Sequence, residues 1–307
     1  MFSQHSIIAL ITGILAGGIF AAASSSASGG VLLLYLPCFF LMMLGFAYGA
    51  KQTAFAGLSA ALTICLLNNT GDGIFFAGFI ALPAWYFVHK ALLWREKDGA
   101  HEWYPTLKIL TDFTIILAML FIVFAYATTH SGQNSIHTLI AHELSTIPPG
   151  TDPQIITMLK KFTEEWSFLI FALAGWWWVM MLYGFAVLAN HFLTSRYLSL
   201  RPSLAISAHG LPGGLLMLAA LSAVLAFIGQ GNQRFDGQVL FLLLLLPYFL
   251  SGLALLHQTS HNWRNREIWL CLFYGALLFL PWVSIIAIAA GFYTQIVEIL
   301  DKHRGIG

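Results

Sequence analysis

The first 88 residues confine this chain to one environment. Four apolar runs, residues 7–23, 31–48, 53–67 and 74–88, follow one another with short polar breaks between them. An α-helix rises about 1.5 Å per residue and needs ~20 apolar residues to cross a ~30 Å hydrocarbon layer. Runs of 15 to 18 residues sit near that lower limit and span where the bilayer thins locally. Lipid offers no water to the backbone, and a helix satisfies its N–H and C=O groups within one segment. The runs therefore read as a four-helix subregion, residues 7–88, folded back and forth across a membrane.

Small residues say how these helices touch. Ala9, Gly13, Gly17 and Ala21 recur at every fourth position of the first run, and Gly45 and Gly49 repeat the spacing in the second. Helices in lipid have little hydrophobic reason to associate, so close approach relies on side chains that let backbones meet. The stripe either packs the protein's own helices or docks a partner.

Composition extends the membrane reading to the whole chain. Of 307 residues, 59% are hydrophobic and 9% charged, with a mean hydropathy of +0.79, whereas about a quarter of an ordinary soluble domain is charged. A net charge of +1 supplies no basic stripe for phosphates, which argues against a nucleic-acid partner. Cys38, Cys65 and Cys271 lie far apart within apolar runs and read as small hydrophobes, with neither a disulfide framework nor a metal set among them. Residues 21–28 imitate a signal-peptide cleavage site, but residues 1–6 carry no Lys or Arg, so the first run is expected to be a retained span.

Further spans are expected at 109–127, 166–188, 211–228 and 239–256. The stretch 268–300 is too long for one crossing without strong tilt, and Pro281 near its middle suggests a reversal between two short crossings. The expected fold is an all-α bundle of about ten spans, with eight or nine as the alternative, in a single membrane domain over residues 1–307. Residues 128–165 form an outward loop in which Ile136, Leu139, Ile140 and Leu144 share one helical face and Ile155, Leu159, Phe162 and Trp166 another. Asp152 before Pro153 reads as an N-cap followed by a first-turn proline. Lys90, Arg95, Lys97 and Lys108 place the loop 89–108 in the cytoplasm; ten crossings then put both termini there too, with 11 Lys/Arg inside and 3 outside.

No catalytic pattern stands out. The chain lacks GxxxxGK[ST], HExxH and GxSxG, so it has no P-loop for ATP, no zincin helix and no nucleophile elbow. His257 and His261 are spaced i,i+4 without a third ligand, and no cofactor is expected. Acids within the spans are nearly absent, which argues against a self-powered transporter. A polar cluster remains on the outward side. Ser24, Ser25, Ser26 and Ser28 join the first two spans, and Asn68, Asn69, Thr70 and Asp72 join the third and fourth. Around an apolar cavity these groups would make a small-ligand site, and short turns use the same residue types.

The order of features resembles the YybS-like family of bacterial membrane proteins of unknown function. The resemblance lies in Leu36 and Pro37, in residues 45–51 leading into a small-residue span, in the amphipathic segment before span six, in residues 252–257 and in the closing 291–304. Tyr293 and Thr294 stand where such proteins often carry an acid. That family is distantly similar to the substrate-capturing subunits of energy-coupling-factor transporters. The similarity implies a non-enzymatic inner-membrane subunit that binds a solute from outside and meets an ATP-driven partner through Ala9, Gly13, Gly17 and Ala21. The rival reading is a structural or assembly protein of the envelope whose polar loops are connectors; an intramembrane enzyme fits least.

Overall fold

The computed structural model describes residues 4–25, 31–97, 99–130, 153–280 and 282–303. The chain divides into two compact units. One comprises Met1–Ile109 and Val179–Ala205, the other Leu110–Trp178 and Ile206–Gly307.

The first unit opens with α1 (Gln4–Ser25), α2 (Val31–Tyr48) and α3 (Ala50–Leu67). Next come α4 (Thr70–Phe76) and α5 (Leu82–Ala91), joined through a single π-helical turn, Ala77–Ala81. Gly13 lies against Ala56 and Ser59, and Gly17 against Ala60 and Thr63. The offset is the same for both contacts, so α1 and α3 run parallel and α2 must bring the chain back between them. The ring of His5 at the start of α1 accordingly sits 4.9 Å from that of Tyr48 at the end of α2. A single residue, Gly49, separates α2 from α3, and its φ of 96° is one that side-chain-bearing residues rarely adopt. Gly57 facing Ala81, and Gly73 facing Cys65, set α4 and α5 antiparallel to α3. Helices α1, α2 and α3, with α4 and α5 joined end to end, thus lie alternately up and down over the residues where the sequence places four apolar runs.

The loop after α5 is not helical and not irregular. Strands β1 (Trp94–Lys97) and β2 (Ala100–Trp103) form an antiparallel hairpin that the all-α expectation left out. Gly99 turns it with φ 76°, and Arg95 pairs with Glu102 across the strands at 2.6 Å.

Helices α6 (Thr106–His130) and α7 (Pro153–Thr194) each contribute residues to both units. Helix α7 is described from Pro153 and continues unbroken for 42 residues, so the expected surface helix and the sixth span are one element. The expected face of Ile136, Leu139, Ile140 and Leu144 lies outside the described residues, as do Asp152 and Pro281.

In the second unit, α8 (Gly213–Ile228) and α9 (Asn232–Leu244) form a hairpin about Gly229 and Gly231. Arg234 and Asp236, which lie in sequence between the runs 211–228 and 239–256, are inside α9. Phe121, Ala125, Ala172, Phe235, Val239 and Leu243 make the local core. Of the three consecutive tryptophans, Trp176 donates to the Leu242 carbonyl at 2.9 Å, whereas Trp177 is exposed. The expected eighth span is interrupted at Leu245, with Pro247 in the first turn of α10 (Leu246–Thr259), where a missing N–H costs no helical bond.

Residues 268–300 also divide, into α11 (Arg266–Phe279) and α12 (Val283–His303). Gly252 meets Ala287, and Gly291 meets Tyr248, so α10 and α12 are antiparallel and α12 begins level with the end of α10. His257 near that end bonds Tyr274 of α11 at 2.7 Å. Helix α11, at 14 residues about 21 Å long and without a buried residue, therefore leaves and returns on one side of the pair. Among the described residues, seven helices are long and apolar enough to cross a membrane, and Leu33–Tyr48 and Gly213–Ile228 are shorter apolar helices. Ten crossings required α11 to be one of them.

Candidate binding site

The polar connectors of the first unit meet. Asn68, at the end of α3, donates its amide to Ser24 Oγ at 2.9 Å and to Asp72 Oδ2 at 3.0 Å. Asn69 is the N-cap of α4 and accepts from the Asp72 backbone N–H at 2.9 Å. A capping side chain of this kind satisfies an N–H that the helix leaves without a partner. The hydroxyls of Ser24 and Ser25 turn back to the carbonyls of Ala21 and Ala22. Thr70 is the exposed first residue of α4, while Ser26 and Ser28 lie outside the described residues. Parallel packing of α1 on α3 is what brings Ser24 level with Asn68. The result is an exposed cap with one carboxylate, hydroxyls and amides, chemistry suited to a solute that carries N–H or O–H donors.

The small-residue stripe has a different fate from the one its resemblance implies. Ala9, Gly13, Gly17 and Ala21 are all buried, and the two glycines rest on the backbone of α3. A stripe consumed inside the fold presents no docking surface, because its small side chains are what let α1 and α3 touch. The partner-docking expectation for these four residues is corrected accordingly.

Two polar centres were not singled out from the sequence. Arg201, 4% exposed, donates to the carbonyls of Ala91, Tyr104 and Ser203 at 2.6, 3.1 and 2.7 Å and to Thr106 Oγ1 at 3.2 Å. These acceptors are neutral, so the bonds hold the guanidinium without cancelling its charge. Burial lowers its pKa to about 10, which still leaves it protonated at neutral pH. In the sequence Arg201 is one basic residue between two apolar runs, with nothing to mark it as buried. The hairpin beside it does carry a sequence signal, an Asp-Gly turn flanked by Trp94 and Trp103.

The other centre joins α10, α12 and the 206–212 segment. Tyr248 Oη donates to Gln295 Oε1 at 2.7 Å, and Gln295 Nε2 donates to the Pro212 carbonyl at 2.8 Å. Ser251 Oγ reaches the Ala208 carbonyl at 2.6 Å and Thr294 Oγ1 at 3.0 Å. All four side chains are buried, and mutual bonding is what makes their burial tolerable. His257 and His261 do not converge: the first bonds Tyr274 and the second Asn262.

No family model, curated protein or solved structure matches the chain.

Proposed function

We propose that the chain is a multi-pass protein of the bacterial inner membrane that binds a small polar solute at the exposed end of α1, α3 and α4 and has no ATPase of its own. The supporting observation is the bond from Asn68 to Ser24, residues 44 apart in sequence, because it puts both polar connectors on one face. Asp72, bonded to the same amide, supplies the charge for a donor-bearing solute. Membership in the YybS-like family and the distant likeness to capture subunits belong to this proposal and rest on the order of features. Because the stripe on α1 is buried, coupling to an ATP-driven partner has to run through another face.

With α2 and α8 as crossings and α9–α10 as one, the proposed chain crosses nine times. A cytoplasmic N-terminus then faces an outward C-terminal end, and Lys/Arg divide 9 to 5 in favour of the cytoplasm, in place of both termini inside.

Purification in mild detergent followed by native mass spectrometry tests the solute reading. Wild type is expected to carry a non-lipid mass that Asp72→Ala and Asn68→Ala lose. Wild type without such a mass, or variants that keep it, would overturn the proposal. The second reading, an envelope structural or assembly protein, draws on the fact that Ser24, Asn68, Asn69 and Asp72 already bond within the chain. Under that reading, replacing Asn68, Asn69 and Asp72 together by Ala leaves envelope integrity unchanged.

A further inference from the structure

The hairpin walls a cavity of about 320 Å³ that no part of the solute reading uses. It is lined by Leu93, Trp94, Arg95, Glu102, Trp103, Tyr104, Pro105 and Lys108, of which Trp94, Arg95, Trp103 and Lys108 carry the argument. Its volume falls at the small end of ligand sites, about the size of a lipid headgroup. The cavity sits between the end of one helix long and apolar enough to cross a membrane, Thr70–Ala91, and the start of the next, Thr106–Thr128, and the connector between two such helices falls at the lipid boundary.

Charge at this site is lopsided. Arg95 and Lys108 line the cavity, and the Lys90 ammonium lies 5.1 Å from the centroid of Tyr104, one of its walls. Behind the wall, Arg201 bonds the Tyr104 carbonyl and lies 5.8 Å from the Trp103 ring. A buried guanidinium held only by neutral acceptors projects its field further than an exposed one, because little water screens it. Glu102 is the one acid in the lining, and Arg95 already engages it at 2.6 Å. That hydrogen bond, with the charges of Lys97 and Lys108 adding to it, holds the Glu102 carboxyl below the usual carboxylate range.

The walls are also apolar in the right place. Leu93 and Trp94 are exposed large hydrophobics at the rim, and His101 stacks on the Trp94 ring at 4.0 Å. Indole rings favour the boundary between headgroups and acyl chains, where one end is wet and the other greasy. A soluble anion would use the cations and leave Leu93 and Trp94 without a role, whereas a phospholipid uses both. We infer that this cavity seats the phosphate of an anionic phospholipid headgroup, with Lys108 on the phosphate, Arg95 holding Glu102 away from it, and Trp94 and Leu93 against the glycerol and upper acyl chain.

The test uses the full chain reconstituted in phosphatidylcholine vesicles with and without phosphatidylglycerol, re-extracted in mild detergent and read by native mass spectrometry. Wild type is expected to retain phosphatidylglycerol in preference to phosphatidylcholine. Lys108→Ala should retain roughly fivefold less, the loss of one surface cation's attraction. Lys97→Ala, at the exposed hairpin end outside the lining, should retain as much as wild type. Trp94→Ala, at an exposed position, is the second variant should Lys108→Ala fail to fold, and it should lose lipid too. Equal retention of the two lipids, or full retention by Lys108→Ala and Trp94→Ala, would overturn the inference. Displacement of the lipid by millimolar inorganic phosphate would overturn it as well, by assigning the cavity to a soluble anion. None of these outcomes depends on Ser24, Asn68 or Asp72, so failure here leaves the solute reading to its own experiment.

Discussion

Two helix pairs in this protein solve the same problem by different means. Helices α1 and α3 approach through Gly13 and Gly17, and α10 and α12 approach through Gly252 and Gly291. At the first crossing the hydroxyls of Ser59 and Thr63 bond back to their own helix, to Ala56 O at 2.9 Å and Ser59 O at 2.8 Å. At the second, Tyr248 with Gln295 and Ser251 with Thr294 bond across the crossing. One pair is held chiefly by the fit of its surfaces, the other by fit and hydrogen bonds together. In lipid neither gains much from hydrophobicity, so the difference lies in what a mutation removes.

The largest effect is expected where backbone meets backbone. A methyl group at Gly252 would strike the Ala287 carbonyl, which moves only if the helix moves. At Gly13 the first atom struck is the Ser59 hydroxyl, which turns aside, with the Ala56 carbonyl behind it. Gly252→Ala is expected to cost about 3 kcal/mol and Gly13→Ala about 1–2 kcal/mol, the range of overpacking in tight cores. Unfolding in mixed micelles measures both, and the reverse order would break the comparison. Next in size is Tyr248→Phe, which leaves Gln295 Oε1 without its donor and should cost about 1 kcal/mol by the same measurement. A cost near zero would show that the α10–α12 pair, like α1–α3, is held by shape alone. The smallest effect belongs to Gly18, where an added Cβ meets nothing. Gly18→Leu should stay within ~0.5 kcal/mol of wild type, and a large loss would mean that the stripe on α1 is wider than Gly13 and Gly17.

The same contrast explains how much was legible beforehand. The second run, 31–48, became α2 with the same limits, and the first, third and fourth each gained a few residues at their ends. Apolar length marks where a helix can lie in lipid, and it says little about the polar turns that prolong it. The four-residue spacing from Ala9 to Ala21 was visible because it repeats within one helix, but its target on α3 was not. Tyr248 and Gln295 lie 47 residues apart, a pairing that no local period encodes. At the candidate site, residue types revealed a polar cluster, while the Asn68 to Ser24 bond had to await the parallel register of α1 and α3. The length of the stretch 268–300 made a break within it legible, yet direction after a break depends on what the following helix packs against, here Tyr248 and Gly252.

Helix α11 buries none of its residues and is tied to α10 through His257. Residues 268–279 carry no charge and none of them is packed away, so exchanging one oily side chain for another along this helix leaves the glycine crossing of α10 and α12 as it is.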